Sequence, residues 1–306
     1  MINSASERGA KVTSGAPGRS LRGNQGLIAL LLVAPFTLIY LIFLIYPTLR
    51  VFLLSFTNAD LTGQGKFIGW QNYTRLFTDP NHTFWLALVN TLYFIVLSVI
   101  PNTALGLIFA MLILRLKRLR GFALACFFLP FVVPVSVVTG IWSWMLDSNF
   151  GIINYLTKSS ITWFQDPNWA MPAVAFVTVW WTVGFNMLLF IAGLQGIPRD
   201  IYEAAALDGA DGAQAFWKIT WPNLWPVTSL VLLLQLIAQF KIFDQIYLLT
   251  GGGPFDKTNV LLLYNYREGF QQQHGGFASA IGVLLLLIIL VVSGLQNYFL
   301  NRGNRT

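Results

Sequence analysis

Polar side chains set inside an apolar stretch are where this chain could do chemistry. From Leu234 the sequence reads Leu-Gln-Leu-Ile-Ala-Gln-Phe-Lys-Ile-Phe-Asp-Gln-Ile-Tyr, which puts Gln235, Gln239, Lys241 and Asp244 in a run otherwise fit for a membrane span. On a helix turning about 100° per residue, Gln235, Gln239, Ile242 and Ile246 share one stripe, while Lys241 and Asp244 lie about 60° apart on another face. Uncharged amides donate and accept hydrogen bonds, which suits hydroxylated solutes. Lys241 and Asp244 are read either as an internal ion pair or as direct solute contacts. A self-sufficient ion-coupled secondary carrier would work through the same two residues. In an earlier apolar run, Trp180-Trp181-Thr182-Val183-Gly184-Phe185-Asn186 places a small residue and an amide near mid-membrane.

A second group of residues forms a polar island between two long apolar runs, Ile201 to Pro222. Asp200 precedes Glu203 by three residues and Asp211 precedes Gln214 by three, each the spacing of a capping box. Gly209 and Gly212 bracket the break between them. The pattern predicts two short helices joined by a tight turn. A structured segment in place of a brief loop implies that something docks on it.

Other chemistries are excluded by what is missing. Gly251-Gly-Gly-Pro-Phe-Asp-Lys257-Thr258 has the outline of a phosphate-binding loop, but Asp256 stands where the second glycine must let the backbone approach the phosphates. The chain is therefore expected to bind no ATP. No Ser/His/Asp or Cys/His set and no G-x-S-x-G turn occurs, so it is read as no enzyme. The two histidines, His82 and His274, have no cysteine or second histidine at ligand spacing, and no metal is expected. The single cysteine, Cys126, cannot form an intrachain disulfide. The island is no DNA-reading helix pair, because Asp200, Glu203, Asp208 and Asp211 outnumber Arg199 and Lys218, the wrong sign for phosphate.

The elements that must position these groups follow from composition. A chain of 306 residues that is 56% hydrophobic and 10% charged is far from the roughly 25% charge of soluble domains. Apolar runs of about 20 residues or more lie near 27 to 47, 85 to 113, 122 to 146, 171 to 194, 224 to 249 and 277 to 300. We therefore expect an all-α polytopic membrane protein of six transmembrane helices with a cytoplasmic two-helix loop. Residues 1–24, rich in Ser, Gly and Arg, are expected to be a disordered tail, and the first span to be retained and not removed as a signal peptide. Residues 25–306 form the six-span domain. The net charge of +7 is a topology signal: twelve of the nineteen Lys and Arg fall before the first span, in the 115–120 loop, in the island and at the C-terminal end. By the positive-inside rule, both termini and the island face the cytoplasm. Pro101, Pro130 and Pro134 predict kinked spans, and kinks next to polar groups imply a cavity. The stretch Gly69 to Phe77 reads as an interfacial amphipathic turn, and Gly276/Ala280 with Ala278/Gly282 as a small-residue packing face.

The island then carries a resemblance. Glu203-Ala204-Ala205, Gly209, Ile219 and Pro222 are similar to the E-A-A-x3-G-x9-I-x-L-P loop of inner-membrane permeases of binding-protein-dependent ABC importers, with Trp221 in place of the leucine. Tyr46-Pro47, Phe67-Ile-Gly69 with Asn72-Tyr73, Asn90-Thr91, Arg120-Gly121, Leu129-Pro130, Gly151 to Asn154, Ile197-Pro198, Asp208-Gly209-Ala210 and Leu249 to Pro254 resemble the maltose and glycerol-phosphate branch of that family. The resemblance implies a bacterial inner-membrane subunit that passes a sugar or sugar-like polyol. Its implied partners are a second permease subunit, two ATPase subunits that hold ATP and Mg, and an extracytoplasmic solute-binding protein. Glu203, Ala204, Ala205, Asp208, Gly209, Ile219 and Pro222 would couple to the ATPases. The third, fourth and fifth spans would line the solute path, with Phe131, Gly184, Asn186, Gln235 and Gln239 as its candidate residues beside Lys241 and Asp244.

Overall fold

The computed structural model describes residues 22–302, with side chains over 29–300. Most of the expected 1–24 tail lies outside the described residues, and its last three positions already belong to a helix. The chain divides into two units, Met1–Arg50 and Val51–Thr306. The first holds α1 (Arg22–Tyr40), a π-helical turn at Leu41–Ile45 and the start of α2 (Tyr46–Leu54); the apolar run over Ala29–Leu54 is long enough to span a membrane. Thr37 and Thr48 return their hydroxyl protons to the carbonyls of Val33 and Leu44, so neither is an unmet polar group in this apolar helix.

The second unit is a helical bundle. After α3 (Gln71–Thr78) come α4 (Thr83–Arg115), α5 (Arg120–Val132), α6 (Val135–Met145), α7 (Ile152–Thr157) and α8 (Ala170–Gln195). Then follow α9 (Arg199–Leu207), α10 (Gly212–Ala215), α11 (Trp221–Phe240), α12 (Asp244–Leu249), α13 (Leu261–Tyr266) and α14 (Gly275–Arg302). No strand occurs among the described residues beyond an isolated bridge between Thr57 and Phe67. Five helical stretches are long and apolar enough to cross a membrane, and α5 with α6 makes a sixth as a bent pair.

Two regions depart from the single spans expected of them. The 122 to 146 run is not one kinked helix: α5 and α6 meet at 101°. Val133 is extended (ψ 135°) ahead of Pro134, whose ring disfavours the helical conformation in the residue before it. Pro130, by contrast, sits inside α5 and does not break it. The 224 to 249 run ends early, at Phe240, and restarts as α12 after Phe243, whose backbone is non-helical (φ −146°, ψ −61°). At its other end it begins much sooner than expected. The helical run Gly212–Phe240 is unbroken for 29 residues, because a π-helical turn at Phe216–Thr220 joins α10 to α11. That wider turn lies directly before Pro222, which has no N–H to give to the preceding turn.

Close helix approach is bought by glycine at a few defined points. A Cβ on Gly184 of α8 would collide with the carbonyl oxygen of Phe127 and lie 2.9 Å from the Phe128 Cα, so α8 and α5 touch backbone to backbone there. Gly275 and Gly276 likewise leave room for the backbone of residues 57–60, so the small-residue face of α14 packs within this chain. The stretch from Gly69 to Phe77 is better anchored than an interfacial turn: Asn72 donates to the carbonyls of Ser55 and Thr57 (both 2.8 Å), and Tyr73 to the Ser55 hydroxyl.

Candidate functional site

The island 199–222 is built as a rigid corner. Its first helix, α9, ends in a Schellman turn: Ala210 N–H bonds the Ala205 carbonyl (2.9 Å) and Gly209 N–H bonds that of Ala206 (3.1 Å). Gly209 sits at φ +78°, the left-handed conformation that such a turn demands, and open space surrounds the position of a Cβ. The second helix is capped as its spacing predicts, with the Asp211 carboxylate accepting from Gln214 N–H at 2.8 Å. The first capping box does not form. Pro198 occupies the N-cap position of α9 and Asp200 lies inside the first turn, so Glu203 is not engaged in a cap. Tyr202 hydroxyl and Thr220 hydroxyl, 2.9 Å apart, pin the two arms of the corner together.

One face of this corner packs and the other does not. Tyr202, Phe216 and Trp221 join the apolar cluster of Leu107, Ala110, Ile113, Met187, Phe190 and Leu224 at this end of the bundle. Ile201, Leu207 and Trp217 point away from it, and Leu207 is 90% exposed. Glu203, Ala204, Asp208, Gly209 and Pro222 are exposed too, whereas Ala205 and Ile219 are half-buried. Sequence reading found the polar positions but missed Leu207 and Trp217, because an exposed apolar residue has no distinguishing pattern in a chain this apolar.

The candidates for a solute path fall into three separate places. Gln235 and Gln239 are buried in a polar network between α4, α8 and α11. Gln239 Nε2 donates to Gln235 Oε1 (3.1 Å), and Asn102 Nδ2 reaches Gln235 Oε1 (3.4 Å) and the Thr182 hydroxyl (2.6 Å). The network holds three helices together in a medium where an unmet amide is costly. Asn186 lies one turn from Thr182 on α8, 1% exposed, with Oδ1 and Nδ2 both lacking a partner among the described residues. Phe131 is elsewhere, stacked on Phe185 at 5.0 Å beside the α5–α6 bend. Gly184 is a helix-packing residue, as above.

Lys241 and Asp244 correct an expectation. Among the described residues Arg267 forms an ion pair with Asp256 and His274 Nδ1 hydrogen-bonds Glu268 Oε2 at 2.9 Å, and neither Lys241 nor Asp244 takes part in an ion pair. The helix that would have set them 60° apart stops at Phe240, and both side chains are exposed. The glycine-rich loop 251–258 makes no anion cradle. Its amides turn inward, Gly253 N–H to Thr250 O and Thr258 N–H to Gly252 O, while Asp256 pairs with Arg267 at 2.8 Å. Asn90 braces this loop from α4 by donating to the carbonyls of Asp256 and Asn259.

Residues 102–304 match the family model described as "binding-protein-dependent transport system inner membrane component". The chain belongs to this family. The permease is 32% identical over 273 residues to the sulfoquinovosyl glycerol transport system permease protein SmoG of Agrobacterium fabrum, covering 87% of this chain and 88% of that one. It is 34% identical over 278 residues to the trehalose/maltose transport system permease protein MalF of Thermococcus litoralis, over 88% and 92% of the two chains. With the sn-glycerol-3-phosphate permease UgpA of Agrobacterium fabrum it shares 31% identity over 281 residues, or 90% and 95%. In fold the permease is similar to a chain of a bacterial ABC transporter that imports alginate, with TM-score 0.80 and 24% identity over 93% and 98% of the chains. It is a multi-pass membrane protein of a binding-protein-dependent transport system.

Proposed function

We propose that this permease is the transmembrane subunit of an importer for a sugar or sugar-like polyol, powered by separate ATPase subunits that seat on the 199–222 corner. The observation that carries this reading is mechanical. The second arm of the exposed corner is continuous with the helix that carries Gln235 and Gln239, about 40 Å of unbroken helix (29 residues at 1.5 Å), and the Tyr202–Thr220 hydroxyl contact ties α9 to it, so a push on Leu207 and Glu203 passes through that contact into the bundle centre. Such an element suits rigid-body alternating access. The Lys and Arg of the 115–120 loop, with Arg199 and Lys218 of the island, favour a cytoplasmic position for this end, with both termini on the same side. ATP and Mg would be held by two ATPase subunits, a second permease subunit would complete the path, and a solute-binding protein would deliver cargo at the opposite face. Relatives of about one-third identity bear the names of trehalose/maltose and glycerol-phosphate permeases, which supports the solute class. The complex of the alginate transporter with a periplasmic protein supports the delivering partner.

The test is purification from membranes. ATPase subunits are expected to co-purify, and sugar uptake by the reconstituted complex to be stopped by vanadate. A purified chain that transports alone and ignores vanadate would overturn the proposal.

A further inference from the structure

Four aromatic rings form a continuous ladder where α12 meets α13, at the end of the bundle opposite the island. Phe243 stacks on Tyr247 at 5.3 Å between centroids, Tyr247 meets Tyr266 edge-on at 5.4 Å, and Tyr266 stacks on Phe270 at 5.3 Å. Phe243 also lies 5.1 Å from Tyr266, which closes the lower part of the ladder into a triangle. The inner members pack on the core cluster of Phe94, Ile246 and Leu263. The outer members do not: Tyr247 is 42% exposed and Phe270 64%.

An interfacial belt of aromatic residues facing lipid would show rings like these, and the neighbours argue against it. Asp244, Tyr247 and Leu248 share the exposed face of α12, and Lys241 lies exposed three residues before it. Two charged side chains without an ion-pair partner are costly against hydrocarbon, so this face turns to water. The glutamines at 271–273 continue the polar rim past Phe270, all exposed. Hydrogen bonding with Tyr247 holds the Tyr266 phenol above its usual pKa.

Resting on the importer reading, we propose that Tyr247, Tyr266 and Phe270 form a carbohydrate-stacking surface at the outer mouth of the solute path, selective for uncharged oligosaccharides. An aromatic face is electron-rich and meets the weakly positive C–H face of a pyranose ring. Lys241 and Asp244 flank it with one donor and one acceptor and no net charge, which fits hydroxyls and offers nothing in excess for a phosphate. The exposed parts of Tyr247 and Phe270 are what such a pyranose ring can reach. These residues lie apart from Phe131, Gln235 and Gln239, so the surface is a separate station.

The test uses the assembled importer in proteoliposomes with its ATPase subunits and binding protein, offered radiolabelled maltose, trehalose, raffinose and glycerol 3-phosphate in turn. The wild-type chain is expected to take up at least one of the neutral oligosaccharides. Tyr247→Ala and Phe270→Ala should each raise KM about tenfold, the size of a lost stacking contact, while Tyr247→Phe stays near wild type. Trp85→Ala, an exposed ring in another aromatic cluster, should change nothing. In a Cys126→Ser background, Tyr247→Cys should be labelled by a polar maleimide more slowly when the transported sugar is present. Unchanged KM in both alanine variants, equal loss in Tyr247→Phe, or uptake of glycerol 3-phosphate alone would overturn the stacking surface while leaving an importer. Vanadate-sensitive uptake of none of the four would overturn the importer reading and this one with it.

Discussion

Leu207→Ala isolates the docking role of the corner, because in the permease alone this side chain does nothing that burial would reward. With 90% of its surface exposed, truncation removes almost no packing and should leave the thermal midpoint of the purified permease within error. In the complex the effect is different. A leucine buried by a partner loses about three carbon groups on truncation, at about 0.8 kcal/mol each, so full burial predicts a loss of about 2 kcal/mol. That is about a 30-fold weaker affinity for the ATPase subunits. Half burial in the partner groove would still give about fivefold. The assay is titration of the ATPase subunits onto the permease in nanodiscs, with Leu207→Met as the conservative variant held near wild type. A change of less than twofold for Leu207→Ala would show that the exposed leucine does not enter the interface, and would refute the reasoning.

Other residues give sharper contrasts. Gly209→Ala meets no steric neighbour, so its cost is the left-handed backbone alone, about 1 kcal/mol; a small drop in uptake with normal expression is expected, and Gly209→Val should be worse. Gly184→Ala drives a methyl into the Phe127 carbonyl and should lower the thermal midpoint strongly, by the equivalent of about 1–3 kcal/mol or more; a neutral result would contradict the α5–α8 contact. For Gln239→Leu, 4% exposed and bonded to Gln235, a loss of about 0.6–2 kcal/mol of stability is expected together with weaker transport. Weaker transport at unchanged thermal stability would instead mark Gln239 as a solute contact only.

Much of this architecture was legible in the order of residues. Long apolar runs announce spans because the bilayer fixes their length, and Asp211 with Gln214 announces a helix start because cap geometry is local. Gly209 was legible for the same reason: a left-handed turn admits little else. Tertiary context decided the rest. Pro222 ends the island, yet the π-helical turn at Phe216–Thr220 carries the helix past it, so the second arm of the corner and the fifth span are one rod. The break at Lys241–Phe243 carries no glycine or proline, and without it Lys241 and Asp244 would be read as neighbours on a helix. Gln235 and Gln239 have the residue types of a solute contact, but only packing shows that Asn102 already engages Gln235 and that Gln239 donates to Gln235. The aromatic ladder joins residues from 243 to 270 across two helices and a loop, so no local window contains it.

Uptake by a Glu203→Lys permease, measured in cells that also carry the ATPase subunits, tests the central claim most directly. Glu203 is exposed on the corner and free of any cap, so charge reversal should leave the chain folded and in the membrane. The account predicts wild-type levels of permease with uptake lost. Normal uptake by that variant would contradict it.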